Sequence, residues 1–120
     1  MSTPKRFQAK RGQRLQPRQK LVGRSTRWGN PFPIREMIDL RKPPRLVERY
    51  AQKWGQPVES LVCETEEEAC DRYRSALLDG RLDYEVTDVQ AALAGFDLGC
   101  PCGRARCHAD VLIELANPGA

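Results

Sequence analysis

The sequence predicts a small single α/β domain, a short sheet with three to four helices packed on it. Three observations carry this. Helix start and stop signals recur from Pro44 to Pro118, short apolar segments sit near both ends, and helix, strand, loop and helix follow one another toward the C-terminus. At 120 residues the chain reads as one domain over 1–120, long enough to bury a core without disulfides as its main support.

Residues 1–10, "MSTPKRFQAK", read as a basic arm that can fray, with Phe7 as an apolar anchor. "RFQAKR" alternates weakly and "QKLVGR" more clearly, which predicts two strands within residues 5–24, separated by a turn at "GQRLQP". The segment "GRSTRWGNPFPI" is broken by Gly23, Gly29, Pro31 and Pro33, so it reads as an ordered loop holding Trp28 and Phe32 out of water. Pro44 is placed to open a helix as its first residue, with Leu46, Val47, Tyr50, Ala51 and Trp54 on one face and Gly55 as its stop. "GQPVESLV" reads as a connection. Thr65 and Glu68 form a capping box for a second helix, whose inner face is Ala69, Tyr73, Ala76 and Leu77 and whose C-terminal cap is Gly80. Cys70 beside that face is assigned to packing. Thr87 and Gln90 suggest another capping box, opening a short helix "DVQAALA" that ends at Gly95. "FDLGCPC" reads as a strand at 96–100 running into a loop, and "ADVLIELAN" as a last helix closed by Asn117-Pro118.

Composition narrows the partner. Residues 1–35 carry ten Lys and Arg and no acid, while the remainder carries ten basic and sixteen acidic residues. That polarity points to a phosphate-bearing partner, a nucleotide or a nucleic acid, meeting the N-terminal third. No apolar run is long enough for a membrane span, and no charged-then-apolar start resembles a signal peptide, so a cytoplasmic protein with no membrane partner is expected. Five cysteines cannot all pair within one chain, which agrees with a reducing compartment.

"CPCGRARCHAD" at 100–110 concentrates three of the five cysteines and the single histidine in a strand-to-helix loop, where α/β folds commonly bind ligands. Three chemistries are open there. Cys100, Cys102, Cys107 and His108 supply a complete Cys₃His set for zinc. Alternatively, Cys107 at a helix start flanked by arginine would be an activated thiol, with His108 as acid or base and Asp110 orienting it. In the third reading Arg104, Arg106 and the helix N-terminus hold an anion, and the cysteines only pack.

The pair "VGRSTRWGNPF" at 22–32 and "FDLGCPCGRARCHADVLIELAN" at 96–117 resembles a family of small bacterial and phage proteins, catalogued as domain of unknown function 4326. The family often carries an aromatic between the first two cysteines, where this chain has Pro101. The resemblance implies no reaction, but it joins the two motifs. Arg24 and Arg27 would neutralise phosphate, Trp28 would stack on a base, and Asn30 would read a base edge, in one cleft with the 100–108 loop. The leading expectation is therefore a protein that binds or processes a nucleotide or nucleic-acid component between these loops. A zinc-stabilised, non-catalytic nucleic-acid-binding module is the first alternative. A protein-binding adaptor using the acidic helices at 59–85 is the second.

Overall fold

Three short strands meet in one parallel sheet: β1 (Arg6–Gln8), β2 (Gln19–Leu21) and β3 (Asp97–Cys100), in the order β1-β3-β2. A computed structural model describes residues 3–102 and 105–119. The predicted α/β class, the N-terminal strand pair and the position of Cys100 at a strand end are all present. The middle strand comes from the far end of the sequence, with Phe7 and Leu21 both in register with Gly99.

Four helices complete the described residues: α1 (Arg45–Trp54), α2 (Glu66–Leu78), α3 (Val86–Leu93) and α4 (His108–Ala116). Pro44 is the residue before α1 rather than its first turn, because its extended ψ of 148° lies outside the helix. Gly55 closes α1 with φ 65°, a left-handed cap that glycine adopts at no steric cost. Half of the predicted Thr65–Glu68 box forms: the Glu68 N–H donates to the Thr65 hydroxyl at 3.1 Å, but the Glu68 carboxylate accepts the Glu64 N–H at 3.0 Å rather than that of Thr65. Gly80 lies one residue past the α2 cap, where its N–H and that of Arg81 close on the Leu77 and Ala76 carbonyls.

The start of α3 is a correction. Glu85 and Asp88, not Thr87 and Gln90, form its capping box, with the Glu85 N–H donating to the Asp88 carboxylate at 2.8 Å. The earlier start puts Val86, Val89 and Leu93 on one inward face, which a helix beginning after Thr87 would lack. The "GQPVESLV" connection also holds more order than expected. It contains a 3-10 turn over Val58–Leu61 that buries Leu61 completely.

The core gathers around Tyr50, Tyr73 and Tyr84, the largest fully buried side chains, with Leu77, Leu93, Leu98 and Leu112 among the helices and sheet. Three buried hydroxyls need partners. Tyr73 donates to the Trp28 carbonyl at 3.2 Å, so in its 2.6 Å contact with Tyr84 it is the acceptor. Tyr50 accepts from the Asp83 N–H. Among the described residues no helix is long and apolar enough to cross a membrane.

Two glycines are needed for space. A Cβ on Gly99 would overlap the Phe7 ring, which lies across the middle strand. A Cβ on Gly29 would stand 2.6 Å from the Arg24 Cα and 2.7 Å from Leu46. Backbone cannot rotate away as a ring can. We expect Gly29→Ala to lower stability in urea by about 1–3 kcal/mol, the usual penalty of overpacking, and an unchanged denaturation midpoint would show that the 24–29 loop is looser than described.

Candidate metal centre and cleft

The C-terminal end of β3 and the N-terminus of α4 bring three side chains together. The Cys100 and Cys107 sulfurs and a His108 ring nitrogen lie within 4.8 Å of one another, and all three residues are buried. Position follows from local structure. Cys100 ends the middle strand facing the helices, Cys107 is the residue that caps α4, and His108 is the first residue of the helix.

Hydrogen bonds fix the chemistry of the histidine. Its Nε2 lies 2.5 Å from the Val22 carbonyl, which can only accept, so Nε2 carries the proton. Nδ1 is then a lone pair, and it faces the Cys107 sulfur at 3.4 Å. A backbone carbonyl holding one imidazole nitrogen so that the other faces soft donors is the arrangement by which proteins orient a metal-ligating histidine. Tyr73 braces the ring from one side, edge-on with centroids 5.3 Å apart.

The two sulfurs titrate as a pair. A hydrogen bond from Cys107 lowers the Cys100 thiol below its ordinary value of 9.0. The same bond, with burial, pushes Cys107 up to about 11. The expected activated thiol at Cys107 is thereby corrected: the sulfur that ionises first is Cys100, since Cys107 is buried and is the donor of the pair. Asp110 does not orient His108. Its carboxylate accepts the Cys107 N–H at 3.0 Å and pairs with Arg6 at 3.3 Å, so it is a helix cap tied to β1.

Cys102 stands outside the triangle of ligand atoms, which reduces the expected four-residue metal set to three. It is half-buried, and its backbone and side chain both hydrogen-bond Cys100. The extended chain stops at Cys100 and turns at Pro101, so Cys102 reaches Cys100 without joining the triangle of ligand atoms.

A cleft of about 320 Å³ opens over this cluster. Its walls include Arg24, Asn30 and Phe32 from the 23–32 loop, and Cys100, Cys102, Arg106, Cys107 and His108. The expected junction of the two motifs therefore exists. Its composition differs from expectation. Trp28 is buried with its ring edge-on to Tyr84 at 4.7 Å, off the cleft wall, so it is not available to stack on a ligand there. Arg27 lies over the Trp28 ring at 4.6 Å, also away from the cleft. The Asn30 amide is consumed by structure, donating to the Ala69 carbonyl at 3.1 Å and accepting the Phe32 N–H at 2.9 Å. That leaves Arg24 and Arg106 as the cations on the wall. Partial burial lowers the Arg24 pKa, and Cys100, Cys102 and Cys107 oppose that fall. Arg106 is exposed and makes a long 3.8 Å pair with Asp71. Arg104 lies outside the described residues.

Sequence reasoning missed Ile34, Met37, Glu66 and the wall position of Cys70. Cys70 does pack, as expected, but its packing forms one side of the cleft. Glu66 was legible only as an acid in the first turn of α2.

Burial raises the Cys70 thiol from 9.0 to about 11. The folded protein keeps a proton that the unfolded chain releases near 9.0, so this contribution is complete below pH 9 and is lost as pH rises toward 11. In metal-free, reduced protein we expect thermal stability to fall over that window by about 2–3 kcal/mol for this group. Calorimetry of Cys70→Ala across the same pH range should show a shallower fall. An identical slope in both proteins would refute the assignment.

No curated protein and no solved structure matches the chain. A family model described as Domain of unknown function (DUF4326) matches residues 6–118. The chain belongs to that family.

Proposed function

We propose that this protein holds a zinc ion on Cys100, Cys107 and His108 and binds a nucleotide or nucleic-acid component in the cleft above it. The observation that carries the reading is the triangle of donor atoms within 4.8 Å, with Nδ1 of His108 left as a lone pair by the Val22 carbonyl. Two sulfurs and an imidazole lone pair converge there. A divalent cation satisfies all three at once, and two sulfurs with one imidazole match the donors of known zinc sites.

Three protein ligands and a fourth direction open to a cleft is the pattern of catalytic zinc sites rather than closed structural ones. When bound, the ion would supply a Lewis acid and an acidified water. This chain's own residues would do the rest. The Val22 carbonyl orients His108, Arg24 and Arg106 attract phosphate to the cleft, and Phe32, Ile34 and Met37 give its mouth an apolar lining. Glu66 is the carboxylate among the described residues lining the cleft. The reading as a non-catalytic binding module would instead recruit Cys102 as the fourth ligand and close the site.

Reconstitution under reducing conditions tests the centre. We expect one equivalent of zinc by elemental analysis, and for cobalt a thiolate charge-transfer band with intense tetrahedral visible bands. Cys100→Ser, Cys107→Ser and His108→Ala should each abolish tight binding, while Cys102→Ser keeps it. Bound metal at a hundredfold excess over its Kd should stabilise the fold by about 2.7 kcal/mol. A chain that takes up no metal would overturn the reading. A chain whose Cys102→Ser variant loses the metal would have the closed, four-ligand site. For the cleft, saturable binding of a nucleoside monophosphate, weakened by Arg24→Gln, is the expected result.

A further inference from the structure

Arg27, which the cleft excludes, belongs to a second and larger depression on the other side of the 23–32 loop. Its volume is about 690 Å³, within the roughly 300–1,000 Å³ typical of small-molecule sites. Four arginines line it: Arg24 and Arg27 from the loop, Arg45 and Arg49 from α1. Arg45, Glu48, Arg49 and Gln52 follow the three-and-four spacing of one helix face, so α1 turns that whole stripe toward the loop.

The charges are not balanced inside the molecule. Glu48 is the sole acid among the lining residues. Arg49 reaches Asp83 at 2.8 Å, but Lys53 shares that carboxylate at 2.6 Å. Arg24, Arg27 and Arg45 form no ion pair among the described residues. Arg24 spends its Nε on the Asn30 carbonyl at 3.5 Å, and Arg27 rests on the rings of Trp28 and Tyr84, contacts that aim guanidinium groups without neutralising them. The N-terminus of α1 adds its own partial positive charge, because Pro44 provides no side-chain cap. Arg24, Arg27 and Arg45 stand unpaired around one hollow, and an anion with several charges relieves their mutual repulsion.

We propose that this arginine groove binds a polyphosphate, meaning two or more phosphates linked in a row, as in a nucleoside triphosphate or the free inorganic chain. Guanidinium forks suit such a chain because each engages two oxygens of one phosphate. The groove offers no exposed ring face for bases to stack on, since Trp28 and Tyr84 are buried beneath Arg27, and this disfavours single-stranded nucleic acid. Arg24 lines both the groove and the cysteine cleft, so a nucleotide whose phosphates lie here points its other end toward the cleft. The assignment itself rests on the arginines and does not require the metal.

Calorimetric titration of the full chain with inorganic tripolyphosphate, ATP, orthophosphate and a short single-stranded oligonucleotide tests it. We expect tripolyphosphate and ATP to bind at least tenfold more tightly than orthophosphate. Arg45→Gln, an exposed change that leaves the melting temperature in place, and Arg27→Gln, which also uncovers the Trp28 and Tyr84 rings and lowers the melting temperature slightly, should each weaken both by about tenfold. A triple control, Lys10, Arg14 and Arg18 each changed to Gln on the exposed β1–β2 crossing, should leave the affinity unchanged. Because Arg45 lines the groove and not the cleft, a loss in Arg45→Gln is specific to this site whatever becomes of the zinc reading. Tripolyphosphate binding that ignores Arg45→Gln, no tripolyphosphate binding at all, or tighter binding of the oligonucleotide would each overturn the proposal. ATP binding tighter than tripolyphosphate identifies a nucleotide as the source of the phosphates, and equal affinities identify the inorganic chain.

Discussion

The peptide group of Val22 holds the two halves of the structure together. Its N–H donates to the Gly99 carbonyl of the middle strand at 2.9 Å, and its carbonyl accepts the Nε2–H of His108 at the start of α4. One residue thus ties sheet to helix and sets which imidazole nitrogen is protonated. Everything at the cleft inherits that choice. The lone pair on Nδ1, the approach of Cys107 and the placement of Gly23 against Pro101 all require Val22 to leave β2 where it does. Replacing the Val22 side chain would test packing, but the chemistry resides in its backbone, which no substitution removes.

Behind this junction, Tyr73 connects the two faces of the 23–32 loop. Its ring meets His108 on one side, and its hydroxyl reaches the Trp28 carbonyl on the other. Buried hydroxyls in such a chain are well satisfied together and costly when one partner is removed. The cleft and the arginine groove are therefore mechanically adjacent, separated by a loop that Asn30 pins to α2 through the Ala69 carbonyl. The loop's polar groups are spent inward, and its cations are left facing out.

Much of the fold is legible in the sequence because local signals act over a few residues. Gly55, the Thr65 cap and the Asn117-Pro118 stop each govern one helix end, and each is where the spacing puts it. The Thr87–Gln90 pair shows the limit, since Glu85 and Asp88 offer an overlapping cap and burial of Val86 decides between them. The site is half legible. Clustering of Cys100, Cys107 and His108 follows from their nearness in sequence, whereas the exclusion of Cys102 depends on the turn at Pro101. Trp28 and Asn30 look like ligand contacts as residue types, yet a tyrosine network and an α2 carbonyl claim them, and both partners lie about forty or more residues away. Arg45 and Arg49 look like ordinary solvated helix charges until the loop is brought against them.

The sheet order also has a consequence for how the molecule comes into being. The two N-terminal strands are never neighbours; each bonds only to β3, which follows them by some eighty to ninety residues. During synthesis they emerge as lone edges with no partner, in a segment dense with positive charge that keeps such edges apart. Their partner strand, the helix that covers it and all three side chains of the sulfur–imidazole triangle leave the ribosome together, long after the first strands. Closing contacts this distant in sequence is slow, so sheet formation, docking of α4 and assembly of the centre become one late event. The Val22 carbonyl, made early, waits for the only histidine in the chain to arrive.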